Sequence, residues 1–541
     1  MKLLRFPVCL LPLAIPLCAQ SGPPEPVAAS QHEPVALTFT ASREHPWRTF
    51  PVQVTITQGA RRLELDAFWD GGRTWRVRFA APTPGEWNYT LTSTDPALHA
   101  RTGTVRAAAP SAAQLARNPN LRGQVRATGH HFAYADATPV LLLGDCQLFG
   151  GLGFDNGDFT RCLEHRRAAG FNALNVRLCK RGAKNEGGPV YASSNVEGLN
   201  PRYFGVVDRQ MQAAWERGFV VFFMPDFLGT GGYDQADVQD LWRYLLARYG
   251  AFNVCPIVTG EYDNPRRLVP FWKDKARWIE VGHFLHALNR RGLEVPVGTH
   301  PVLGSSGADF HDQPWLDYNQ IQAKVWKDFD TAPISILEDY ARTPAKPTFY
   351  AEGTYENQPW GGIVGTALHV RHQTWVGYLC GAAAVDYGEF LLKPGRPKGQ
   401  SLDSLLAMPG ARQAADAANL LRRLEWWRMA PQREAVLVDG VVPPLTERKA
   451  NTPLPYCLAE TGKTYVVYLM AGLEKKDLTL TGLGPAAYVA QWIDPRTFAA
   501  TPVADGRPAR ADAAGRWPLP PRPAPAADDW VLLLRVAPGA R

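Results

Sequence analysis

Eight times between residues 140 and 388 the chain spells the same unit: a short apolar run, a polar residue where the run stops, and a longer stretch leading to the next. The runs lie at 140–145, 173–177, 219–226, 254–258, 296–300, 318–322, 347–351 and 381–388. Most are near-continuously apolar rather than alternating, which is how strands read when both of their faces are covered; that calls for parallel strands with helices packed on the sheet. Eight such units predict an α/β fold whose sheet closes as a (β/α)8 TIM barrel. Helical sequence at 160–169, 203–217 and 276–291 fills intervals between strands, and an Ala-, Leu- and Arg-rich stretch at 401–428 reads as the last barrel helix.

The flanks read differently. Residues 32–108 alternate polar and apolar positions between turn signals such as Asp70-Gly71-Gly72, which predicts an N-terminal β-sandwich with Trp69, Trp75 and Trp87 in its core. Residues 109–120, rich in Ala, Pro and Asn, read as a linker at the head of the catalytic region 109–428, and 126–140 as a hairpin closing the barrel floor. The histidine pair His130-His131 falls in this hairpin and lacks a third ligand for a metal. Residues 429–541 return to short strands and predict a second β-sandwich. At the other end, Lys2 and Arg5 precede an apolar run at 6–17, with Ala19 as a cleavage point. That pattern predicts a signal peptide at 1–19, a tether at 20–31, and a secreted or periplasmic protein. No membrane span is expected, because the run is too short and no later segment holds eighteen uninterrupted apolar residues. The net charge of +7 is spread thinly, two of it in the leader, which argues against nucleic acid as a partner. The six cysteines beyond the leader form no CxxC pair and read as buried thiols, with one disulfide in an oxidising compartment as the alternative.

In a barrel of this kind the C-terminal ends of the strands form the active face. Here every strand ends on, or leads directly to, a polar residue: Asp145, Arg177, Asp226, Glu261, His300, Gln322, Glu352 and Tyr387. Two are glutamates, on the fourth and seventh strands, whose tips point across the same mouth. Cleaving a glycosidic bond needs one carboxyl to protonate the leaving oxygen and a second to attack the sugar or activate water. Glu261 and Glu352 suit these roles, Glu261 as acid/base and Glu352 as nucleophile. Tyr355, three residues on, is a hydrogen-bond donor for Glu352, and Arg177 supplies charge. Asp145, Asp226, His300 and Gln322 are candidate contacts to sugar hydroxyls. Trp326 and Trp360 are candidate stacking platforms in a chain with 17 tryptophans. Asp263 and Glu356 lie close enough in sequence to compete for the carboxylate roles. No phosphate loop, HExxH or nucleophile-elbow serine is present, so neither metal nor cofactor is expected. The expected partner is a plant or algal polysaccharide or oligosaccharide; the alternative is a non-catalytic carbohydrate-binding or adhesive protein on the same scaffold.

The order of several motifs adds to this. Leu143-Gly144-Asp145, the stretch 167–172, Asn200-Pro-Arg-Tyr-Phe204 with Asp208, Arg248-Tyr-Gly250 with Asn253, and 347–356 follow one another as in the apiosidase-like barrel glycoside hydrolases. Residues 68–87 resemble the β-sandwich that precedes the barrel in many secreted bacterial glycoside hydrolases. The stretches 492–497 and 528–530 resemble a collagen-binding-type β-sandwich that ends many of the apiosidase-like proteins. The resemblance implies glycosidase chemistry, a retaining mechanism, and an acid/base and nucleophile at Glu261 and Glu352. The chain departs from the family pattern at Thr259-Gly260-Glu261 and at 144–149, both near the substrate, so apiose specificity does not carry over.

Overall fold

A computed structural model of the chain describes residues 25–146, 156–193, 195–230, 232–324, 330–360, 362–392, 400–445 and 452–539. The leader expected at 1–19 and Trp326 lie outside these residues.

The eight strands form one parallel sheet. In chain order they are Leu142–Cys146, Ala173–Arg177, Val220–Met224, Val254–Gly260, Gly298–His300, Asn319–Gln322, Thr348–Glu352 and Ala384–Tyr387. The first pairs with both the second and the eighth, so the sheet curls back on itself into a nearly closed barrel. The fifth and sixth strands meet at a seam where Asp317 N donates to Val297 O at 2.8 Å, and Val297 N donates to Asp317 Oδ2 at 2.8 Å. Helices cover the outside, among them Pro201–Glu216, Gln235–Tyr249, Lys275–Asn289 and Ala367–Leu379. Their starts are set by local chemistry. Asn200 caps the first of these with Pro201 at its opening position, and Asp234 and Asp237 form a reciprocal capping box on the second. The stretch at 401–428 is two helices, Leu402–Leu406 and Pro409–Arg422, because Pro409 has no N–H to continue the first one.

The barrel interior is filled from below. Strands Arg126–Thr128, His131–Ala133 and Pro139–Val140 form a small antiparallel sheet under the barrel. From it Phe132 rises into the core, edge-on to Phe222 and Tyr318 at ring separations of 6.0 and 5.6 Å. Aromatic packing of this kind seals the N-terminal end and leaves the C-terminal end for chemistry.

The N-terminal unit has a five-stranded and a three-stranded sheet around a common core that includes Val54, Ile56, Trp75, Val77 and Trp87; Trp69 packs against it half-buried. Two stretches expected to be linkers are structured. Val27–Ser30, within the tether expected at 20–31, is a strand paired in parallel with residues 105–108, so it belongs to the N-terminal sheet. Ala112–Arg117, inside the linker expected at 109–120, is a helix closed by a capping box between Ser111 and Gln114. The C-terminal unit has a six-stranded sheet and a three-stranded sheet around a core that includes Val467, Leu480, Trp492 and Leu532. All six described cysteines are buried.

Candidate active site

Glu352 is the last residue of the seventh strand, and its side chain is only 12% exposed. Two groups grip it. Lys324 Nζ lies 2.9 Å from Oε1, and His300 Nε2 lies 3.5 Å from Oε2. The lysine follows the sixth strand and is 8% exposed itself. With so little water to screen them, the two charges hold each other strongly. His300 closes the fifth strand, and its Nδ1 faces Gln320 Oε1 at 3.1 Å. With Nδ1–H donated to that amide oxygen, Nε2 donates to Glu352 only when the ring is protonated.

Glu352, His300 and Arg177 line one small cavity at the barrel mouth together with Cys146, Asn175, Met224 and Phe227. Arg177 lies over Phe227, its guanidinium carbon 4.7 Å from the ring centre, and its Nε is 3.7 Å from Asp226 Oδ1. Tyr355 is buried behind the cavity, its hydroxyl 3.2 Å from Cys146 Sγ, and Lys324 Nζ sits 5.0 Å from its ring centre. Burial, with Cys146 and the charge of Glu352, pushes the phenol well above its ordinary range, so it stays a neutral hydroxyl. Gln322 pairs in register with Glu352; its buried Oε1 has no hydrogen-bond partner among the described residues.

Below Glu352 the barrel holds a second carboxyl. Asp386 accepts a 2.8 Å bond from Asn175 Nδ2, and burial raises its pKa well above that of an ordinary aspartate. Gly144 makes room for it: a Cβ there would stand 1.9 Å from Asp386 Oδ1. Asn175 also donates to Ala351 O at 3.4 Å, one residue before Glu352.

Glu261 follows the fourth strand, three strands round the barrel from Glu352. Its φ is +51°, a left-handed conformation that a side-chain-bearing residue adopts at a cost and that clusters at functional sites. The turn that enforces it is visible. Asn264 N bonds Glu261 O at 3.1 Å, Asn264 Nδ2 donates to Glu261 Oε2 at 2.5 Å, and Arg267 Nη1 lies 3.3 Å from the same oxygen. The next residue, Tyr262, donates its N–H to His300 O at 3.2 Å, tying this turn to the strand that presents His300 to Glu352.

The remaining sequence candidates are placed as follows. Asp145 is 1% exposed and receives a hydrogen bond from Nε of the fully buried Arg166, so its carboxylate is engaged inside the fold. Burial raises its pKa to about 6, against the opposing pull of Arg166. Asp226 accepts from Phe227 N, Arg181 N and the Tyr233 hydroxyl, at 2.8, 3.0 and 3.3 Å, and so organises the loop after the third strand. Trp360 lies in a two-residue strand paired with Ile363–Val364, in the loops beyond Glu352. Tyr387 donates to Glu356 Oε2 at 3.0 Å. The competing carboxylates have structural partners. Glu356 also accepts from Gly410 N, and Asp263 accepts a 2.7 Å bond from Val302 N. Sequence reasoning missed Lys324, Asn175 and Asp386. The one signal for Lys324 is its place two residues beyond a strand end already marked by Gln322.

A carboxylate at the seventh strand tip that lines the cavity at the barrel mouth and is held by a lysine is equipped for attack on an electrophilic carbon. The model of the apiosidase-like catalytic domain matches residues 126–428. The chain belongs to that family. It is accordingly a glycoside hydrolase, and an apiosidase-like barrel carries its chemistry. A second model, a domain of unknown function named DUF5060, matches residues 28–94. No curated protein matches the sequence. Among solved structures, a protein from Bacteroides vulgatus ATCC 8482 assigned to the glycoside hydrolases aligns with a TM-score of 0.70 at 15% identity, covering 94% of this chain and 100% of its own. A further glycoside hydrolase aligns at 0.64 and 16% identity, covering 78% and 98%. A glycoside hydrolase family 5 member from Bacteroides vulgatus aligns at 0.63 and 15%, covering 77% and 95%. At such identities these neighbours speak for the shared fold.

Proposed function

We propose that this apiosidase-like enzyme is a secreted or periplasmic glycosidase that opens a plant or algal polysaccharide by retaining double displacement. Its barrel at 109–428 stands between β-sandwich units at 32–108 and 429–541, the first extended by the strand at 27–30. Glu352 attacks the anomeric carbon and Glu261 protonates the leaving oxygen, then removes a proton from the water that hydrolyses the glycosyl-enzyme. The observation that carries this reading is the grip of Lys324 and His300 on Glu352 inside the cavity shared with Arg177. A cation fixes the position of the nucleophile, while Glu261 faces a different set of partners. The strained backbone at Glu261 supports its role, because strain persists where surrounding structure fixes a side chain for use.

The test is release of reducing sugar from a polysaccharide panel by wild type, Glu352→Gln and Glu261→Gln. Both variants lose about a thousandfold or more in kcat/KM. They differ on an aryl glycoside with an acidic phenol leaving group, which needs no protonation: Glu261→Gln keeps its first step and Glu352→Gln does not. Wild-type activity in either variant on the polysaccharide removes that residue from its role. The anomer first released, read by proton NMR, decides between retention and inversion.

A further inference from the structure

At the end of the barrel opposite the catalytic face lies a second cavity of about 310 Å3, bounded by the floor hairpin, the starts of the first and eighth strands, and the C-terminal unit. Its wall is aromatic. Tyr340 stacks on His130 at 3.8 Å and 14°, Trp426 meets His131 edge-on at 5.9 Å, and Trp427 stands perpendicular to Trp426 and is 40% exposed. Among the described residues, no Asp, Glu, Lys or Arg side chain lines it. Burial lowers the pKa of both imidazoles below the ordinary histidine value, which favours their uncharged form.

Polar edges are nevertheless present. His130 Nδ1 is buried without a hydrogen-bond partner among the described residues. His130 and His131 are the pair for which the sequence offers no metal ligand set, and the catalytic reading leaves them unused. Flat apolar rings with unspent hydrogen-bonding edges complement a pyranose, which has an apolar face and a rim of hydroxyls. A charged ligand would find no counterion here, and the volume is at the small end of ligand sites, room for a short saccharide rather than a protein segment. We propose that this floor cavity is a non-catalytic binding site for a neutral saccharide unit, with Trp427 as its exposed platform. As an uncharged glycan site it rests on the glycosidase reading for its substrate class and not on the roles of Glu261 or Glu352. It would hold a polysaccharide chain against the enzyme away from the point of cleavage.

The experiment is affinity electrophoresis of the full chain in native gels containing galactomannan, xyloglucan or arabinoxylan. Glu352→Gln is the background, so that turnover does not erode the polymer. On at least one polymer the Glu352→Gln protein is retarded, and adding Trp427→Ala raises its dissociation constant about tenfold or more. Trp427→Ala alone leaves kcat/KM on a short soluble glycoside unchanged, because the site is at the other end of the barrel. Equal retardation with and without Trp427 overturns the proposal, as does no retardation on any of the three polymers. A Trp427-dependent change in oligomeric state by size-exclusion chromatography, without loss of retardation, assigns the surface to a second copy of the chain and overturns it too. An unchanged gel shift beside an inactive wild type would implicate the catalytic reading instead, so the two failures are distinguishable.

Discussion

Lys324 shows what a single residue contributes and why it was hard to foresee. Its ammonium sits 2.9 Å from Glu352 Oε1 in a place where bulk water screens poorly. In Lys324→Met, which keeps the stem and removes the charge, the carboxylate loses this cation and the contact that fixes its position. kcat/KM on a soluble aryl glycoside should fall about tenfold or more, with the urea midpoint little changed. Wild-type kcat/KM in the variant would show that the lysine does not hold the carboxylate for attack. The ion pair joins neighbouring strands 28 positions apart, and no periodicity in the sequence connects them. Asp145 illustrates the reverse. As a strand end it read as a sugar contact, but Arg166, from the helix Asn156–Ala169, reaches under the strand tips and takes its carboxylate. Where a strand ends is written locally; how deep a neighbouring helix sends an arginine is not.

At the scale of elements, most barrel strands were legible because each is buried on both faces, and double burial favours a near-continuous apolar run whatever its neighbours are; the buried but polar sixth strand, Asn319–Gln322, is the exception. Short edge elements lack that demand. Val27–Ser30 has the composition of a tether and becomes a strand only because residues 105–108 offer it a ladder. Pro455–Glu460 opens on a proline, yet pairs with the neighbouring strand Thr464–Leu469 along its whole length. The seam between the fifth and sixth strands was not legible at all, since it depends on one side chain. Asp317 holds it, and burial raises that carboxyl to about 6, against the Val297 N–H and the charge of Lys346. A carboxyl raised in the native state binds its proton more tightly there than in the unfolded chain. Its contribution is favourable below about pH 4, is lost as pH rises through 6, and is a net cost above that. Asp317→Asn keeps an acceptor for Val297 N and has no charge to bury. It should therefore be more stable than wild type at pH 7 by up to about 2 kcal/mol and no more stable at pH 4. Urea denaturation at the two pH values checks this; a variant equally destabilised at both would mean that the ionised carboxylate is needed at the seam.

At the scale of the whole molecule, the helix Ala367–Leu379 links the C-terminal unit to the catalytic strand. Arg371 on this helix makes a two-pronged bond to Asp529, Nε to Oδ2 and Nη2 to Oδ1 at 2.7 Å each, and donates to Gln413 Oε1 at 2.7 Å. The Tyr468 hydroxyl completes the set on Asp529 at 3.0 Å. Two residues along, Gln373 clasps the backbone of Thr354, its Oε1 accepting from Thr354 N at 2.8 Å and its Nε2 donating to Thr354 O at 2.9 Å. Thr354 is two residues past Glu352, so one helix both anchors the C-terminal unit and fixes the exit of the catalytic strand. The two functions separate by mutation. Asp529→Asn leaves the Arg371 guanidinium buried without its counterion, and removing one partner of a buried pair costs about 3–5 kcal/mol. The expected result is a lower urea midpoint with kcat/KM at 25 °C nearly unchanged, because the folded fraction still has Gln373 in place. Gln373→Ala should do the opposite: it strips one bond from each of two backbone groups, about 1–3 kcal/mol of stability, and costs more in kcat than its stability loss explains, because the loop carrying Tyr355 loses its clasp. If Asp529→Asn instead lowers kcat as much as Gln373→Ala does, the C-terminal unit acts on the nucleophile through this helix and is more than a stabilising pack.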